Sequence, residues 1–150
     1  MLVAAHHVLH ARDYLAPALS ASIFVLIMSR VPEPARRNFN AVFAAGACGA
    51  YLSGGFGIWE LMYPALTLPI VYLGLRSHRF IGLAWLMHAA WDMAHHMWGN
   101  PIWPFMATSS FGCLIFDSLI AIWFLAGAPS FTANVDRAIA PVPSAHRTRQ

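Results

Sequence analysis

Apolar residues run along this chain in long blocks rather than in amphipathic alternation, and five blocks stand out. They extend from Tyr14 to Ser29, Phe39 to Trp59, Leu61 to Leu75, Phe80 to Trp98 and Met106 to Ala126. Segments that are apolar on every side, with charges gathered at their ends, predict transmembrane helices rather than the faces of a soluble domain. The expected fold is therefore all-α, a polytopic transmembrane helical bundle of five spans. The third block is short for ~30 Å of hydrocarbon and holds Pro64 and Pro69. A broken or re-entrant third helix, leaving four full spans, is the alternative. Residues 1–13 are expected to form a surface segment, with a short helix over 2–10 lying on the outer face. Residues 14–128 form the bundle and 129–150 a disordered cytoplasmic tail, marked by Pro129, Pro141, Pro143 and three arginines.

Composition supports this reading. Hydrophobic residues make up 59% of the chain and charged residues only 10%, against about 25% charged in soluble domains. The formal charge of +3 does not point to nucleic acid, because the arginines sit at block ends and no basic stripe interleaves with aromatics. Instead they alternate between loops. Arg30, Arg36 and Arg37 fall in the first, Arg76 and Arg79 in the third, and Arg137, Arg147 and Arg149 in the tail. By the positive-inside rule this places the N-terminus outside and the C-terminus in the cytoplasm, as a multi-pass protein of a bacterial inner membrane. Arg12, beside Asp13, is the one contrary charge. The first block lacks a convincing small-residue cleavage site before Arg30, so it reads as a span and not as a signal peptide. Cys48 and Cys113, each within an apolar block, read as buried free thiols.

The chemistry is concentrated in His88-Ala-Ala-Trp-Asp92-Met-Ala-His95-His96, inside the fourth block. On a helix His88, Asp92, His95 and His96 share a roughly 100° arc. Ionisable groups at membrane depth are costly and raise a functional question by default. The expected topology places Asp117 of the fifth block near the depth of His88, and Glu60 near that of His95 and His96. All six are therefore expected to converge on one outward-facing pocket, with Asn100, Thr108, Ser109 and Ser110 at its mouth. Three roles are open to them. Imidazoles and carboxylates from His88, Asp92, His95, His96 and Asp117 suit a divalent transition metal (Zn, Fe, Cu or Mn) that activates water or oxygen. Glu60 and Asp92 would then be the catalytic carboxylates of a membrane hydrolase or oxidoreductase acting on a small or lipidic substrate. The same groups suit a proton or ion relay in a non-enzymatic transport or accessory subunit. Buried pairs can also simply fix helix register. His95 and His96, at a helix end, are expected to lie nearest water.

Small residues in Ala45-Gly46-Ala47-Cys48-Gly49-Ala50 predict close helix packing, and Ser53 to Gly57 a glycine-based break opening room beside Glu60. Asn38 is the expected cap of the second helix. Trp59, Trp98 and Trp103 are expected to form an interfacial belt. No phosphate loop, dinucleotide fingerprint, G-x-S-x-G, C-x-x-C or HExxH occurs.

Several of these stretches together carry a resemblance: Arg36-Arg37-Asn38-Phe39-Asn40, Tyr51 to Gly57, Trp59-Glu60, His88 to His96, Gly99-Asn100-Pro101 and Thr108-Ser109-Ser110. Over roughly residues 15–130 the chain resembles a small bacterial integral-membrane family catalogued as a domain of unknown function. The resemblance implies a lipid bilayer as partner and assigns no reaction. A homo-oligomer or a membrane-complex partner is left open.

Overall fold

The computed structural model describes residues 8–50, 52 and 55–131. Among them the chain forms five α-helices and no strand. The helices are α1 (Ala11–Met28), α2 (Ala35–Ala47), α3 (Met62–Gly74), α4 (His78–Trp98) and α5 (Ser109–Leu125), with a 3₁₀ turn (Gly57–Leu61) before α3. Most of the expected outer-surface helix and the tail beyond 131 lie outside the described residues.

Four blocks fold close to their expected limits; the second does not. Its helix starts at Ala35, after Pro34, and stops at Ala47 instead of running to Trp59. Proline suits a helix start because the first N–H groups have no intrahelical partner. Asn38 consequently lies within the first turn and caps nothing, whereas Asn40 is buried and donates to the Arg36 carbonyl at 2.7 Å. The chain then turns through Gly55, at φ +103°, into the 3₁₀ turn that carries Glu60. A left-handed backbone of this kind favours glycine.

Short contacts define two ends of the bundle. At one, Glu33 accepts from Arg36 Nε at 2.7 Å and faces His78 Nε2 at 2.9 Å, joining the first loop to the start of α4. Burial would raise the Glu33 pKa, but the hydrogen bond from Arg36 and the charge of His78 hold it below the ordinary value. Ser130 Oγ donates to the Ser29 carbonyl at 2.7 Å, bringing the ends of α1 and α5 together there. At the other end Thr108 Oγ1 donates to Asp13 Oδ1 at 3.0 Å, joining the starts of the same two helices.

α4 is the central element, packed on α5, α3 and α2, while α1 leans on α5. The apolar core gathers Ala41, Ala44, Ile81, Trp85, Ile120 and Phe124. Outward faces are apolar too: Leu15, Leu19, Val42, Leu66, Leu86 and Ile122 are exposed. Buried positions meanwhile include Asn40, Thr67, His88, Asp92, Ser110 and Asp117. α1, with a mean hydropathy of 1.3 over 18 residues, is long and apolar enough to cross a membrane. α5 is apolar but has 17 residues, and α2 and α3 have 13 each. α4 has the length, at 21 residues, but carries the polar stripe.

Gly82 sets the α4–α5 distance. A Cβ there would stand 2.8 Å from Leu125 Cγ, 2.9 Å from Leu125 N and 3.0 Å from the Ala121 carbonyl oxygen. Two of these atoms are backbone, so the helices themselves must part. Gly82→Leu is expected to lower stability by about 1–3 kcal/mol, read as a lower melting temperature in detergent. Gly46→Ala, where a Cβ meets nothing within 4 Å, should leave it unchanged or raise it.

Candidate functional site

Three helices meet at His88. Its Nε2 lies 3.1 Å from the carbonyl of Ala47, in the last turn of α2. Helix ends leave carbonyls without an intrahelical donor, and here an imidazole from α4 fills that role. A carbonyl only accepts, so Nε2 carries the hydrogen. Nδ1 then faces two carboxylates, Asp117 Oδ2 at 2.5 Å from α5 and Asp92 Oδ2 at 3.5 Å one turn along α4. Ligand atoms of His88, Asp92 and Asp117 all lie within 4.8 Å of one another, and all three residues are buried. Aromatic rings wall the cluster. Trp85 meets His88 edge-on at 5.8 Å, and Tyr63 of α3 lies 5.4 Å away, stacked on Trp91.

A second centre forms two turns along α4. His95 Nε2 lies 3.2 Å from Glu60 Oε2, and its Nδ1 lies 3.2 Å from the Asn100 carbonyl. Glu60 Oε1 also accepts the Phe56 N–H at 2.8 Å, so the carboxylate is fixed by its own turn. Both centres share one pattern: an imidazole held between a main-chain carbonyl and a carboxylate.

The six expected residues thus divide. His88, Asp92 and Asp117 come together, and Glu60 pairs with His95. His96, half-buried, packs its ring on Phe111 at 5.1 Å. His95 is not at the water boundary as expected. It is 1% exposed, because the glycine-led turn before the 3₁₀ segment folds over it. Of the expected mouth residues, Thr108 binds Asp13, Ser109 Oγ accepts the Trp103 N–H, and Ser110 is buried. Trp59, Trp98 and Trp103 are exposed, and both cysteines are free. Sequence reasoning missed Tyr63 and the Ala47 carbonyl. A phenol in the apolar third block, three residues after Glu60, was a signal for the first. The small-residue run that ends α2 was a signal for the second.

Gly55 roofs the second centre. A Cβ there would come 2.7 Å from His95 Cε1 and 3.0 Å from Glu60 Oε1. Gly55→Ala combines a strained left-handed backbone with this clash, and is expected to cost about 1–3 kcal/mol. Gly57→Ala, also at positive φ but with nothing within 4 Å, should cost less. Thermal unfolding of the two variants side by side measures the difference.

No curated protein and no solved structure matches the chain. A family profile does, over residues 12–130, a stretch that holds both centres and all five helices but for the first residue of α1. The chain belongs to the family of unknown function DUF6010.

Proposed function

We propose that this is a multi-pass membrane protein whose buried His88–Asp92–Asp117 cluster holds a divalent transition metal. The membrane half of the reading rests on the distribution of polarity. Leucines, isoleucines and aromatics face outward while histidine, aspartate, asparagine and threonine are packed inside. Water would reverse that arrangement; lipid favours it. The arginine-bearing first and third loops meet at one end of the bundle through Glu33 and His78, as alternating spans require. α2 and α3, at 13 residues, are short and fit spans completed by adjoining turns. The N-terminus lies outside and the cytoplasmic face carries the arginines.

The metal half rests on charge balance at His88. With no proton on Nδ1, two aspartates and the imidazole would sum to −2, so the close Nδ1–Asp117 contact needs a cation, either a proton or a metal. A divalent cation between Nδ1 and the two carboxylates brings the cluster to zero. The Ala47 carbonyl then plays the orienting part common among metal-bound histidines, accepting the N–H remote from the metal. Ligation at ~2.0–2.2 Å asks the His88–Asp117 contact to widen by roughly 1 Å, a side-chain adjustment. Three protein ligands leave a position for water or oxygen, which fits a hydrolase or oxidoreductase acting on a small or lipidic substrate. The specific rival is a proton store, in which one proton charges the imidazole and another neutralises a carboxylate. The shared carbonyl–imidazole–carboxylate pattern at His95 favours that rival.

Elemental analysis of detergent-purified protein separates the two. Wild type is expected to carry stoichiometric metal, His88→Ala and Asp117→Asn to lose it, and Gly46→Ala, where a Cβ meets nothing within 4 Å, to keep it. Metal that is substoichiometric and indifferent to these substitutions sinks the metal reading and leaves the proton store. For topology, a cysteine at Asn100 should react with a membrane-impermeant maleimide on intact cells, and one at Arg79 should not, both in a background with Cys48 and Cys113 replaced. Equal labelling of both would overturn the spanning of α4.

A further inference from the structure

Arg12 is the one arginine among the described residues that does not sit at the arginine-rich end of the bundle. Its neighbour Asp13 does not neutralise it by contact. Asp13 spends Oδ2 on the His10 N–H at 2.8 Å and Oδ1 on the Thr108 hydroxyl at 3.0 Å. Among the described residues Arg12 makes no ion pair, and its side chain is exposed. It stands at the mouth of a cavity of about 680 Å³ between α1 and α5. That size is typical of small-molecule sites. The cavity's polar lining is Arg12, Asp13, Ser20, Thr108 and Ser109, and the α5 residues beyond them are Gly112, Cys113 and Phe116. Cys113 lies one helical turn before Asp117 on α5, so the deep end approaches the carboxylate cluster.

A guanidinium free of ion-pair contact, whose neighbouring carboxylate is held by the His10 N–H and the Thr108 hydroxyl, stands beside a largely apolar slot at the height where a bilayer's polar boundary would fall. We infer that the α1–α5 cavity binds an anionic phospholipid, with its phosphate on Arg12 and an acyl chain against Phe116 and Cys113. Guanidinium pairs with phosphate through parallel hydrogen bonds, and a headgroup that carries its own cation already offsets the phosphate charge that Arg12 would balance. Gly112 borders open space, since a Cβ there would meet nothing within 4 Å. The inference rests on α1 and α5 lying in the membrane, and is independent of the metal. It also gives the contrary charge at Arg12 a purpose.

The test uses the full-length protein in zwitterionic detergent and phosphatidylglycerol bearing a pyrene-labelled acyl chain. Binding is read by energy transfer from tryptophan, Trp103 being part of the cavity wall. Saturable binding is expected. Arg12→Gln should weaken it by about tenfold or more, Gly112→Phe should abolish it by filling the slot, and Arg79→Gln at the opposite end should not alter it. Metal content should be the same in all of these proteins, so a failure here is distinguishable from a failure of the metal reading. Equal binding of the matching phosphatidylcholine, displacement by soluble glycerol phosphate, or wild-type affinity in both Arg12→Gln and Gly112→Phe would each overturn the inference.

Discussion

The contact on which the rest of this structure depends is the imidazole of His88, held between the end of α2 and the middle of α5. One ring joins three helices: its own, the one whose last-turn carbonyl it meets, and the one that carries Asp117. Small residues allow the approach. Gly82 brings α4 against the backbone of α5, and alanines at 41, 44, 84, 89 and 121 keep the interior narrow. Shape and charge therefore reinforce each other. A bundle packed through bulkier side chains would leave Asp117 too far from His88, and a buried aspartate without that partner would be costly to keep.

The second centre, His95 with Glu60, is built differently. His88 gathers its partners from whole helices. His95 gathers them from turns: Gly55 and Phe56, the 3₁₀ segment, and the Gly99–Asn100 link after α4. On the membrane reading, irregular backbone of this sort is tolerated at depth only where protein covers it. His95 supplies that cover, binding a loop carbonyl while its ring packs against Phe56 at 4.6 Å. α4 is thus pinned to helices in its middle and to loops at its end.

Much of this was legible in the residues themselves. Long apolar blocks gave the helices, because length and hydropathy need no tertiary context. The i, i+4 spacing of His88 and Asp92, with an aspartate at matching depth in the next block, gave the cluster. What escaped was whatever depends on where a helix stops. The second block continues to be apolar through Trp59, yet its helix ends at Ala47, since nothing in hydropathy separates a helix from a glycine-rich turn covered by its neighbours. The same error placed Glu60 at the end of a long helix when it belongs to a separate turn, although its expected level beside His95 agrees with the pairing found. Burial of His95 was unreadable for a related reason: a helix-end histidine meets water unless a loop returns over it, and the return is set by the backbone angle at Gly55. The Ala47 carbonyl, being main chain, leaves no residue-type signature.

The buried polar stripe also bears on how such a chain is assembled. On the membrane reading, α1 is apolar enough to enter lipid alone, whereas α4 carries His88, Asp92 and His95, whose further partners stand on other parts of the chain. Asp117 lies on α5, made after the other groups of its cluster. The buried groups of α4 and α5 meet only when the two helices pack together, so they are best admitted to the bilayer as a hairpin, together with the cation that balances them. The interaction that closes the mature site would then also be the checkpoint of its biogenesis, and a chain truncated before α5 would be left with an aspartate and two histidines that lipid does not welcome.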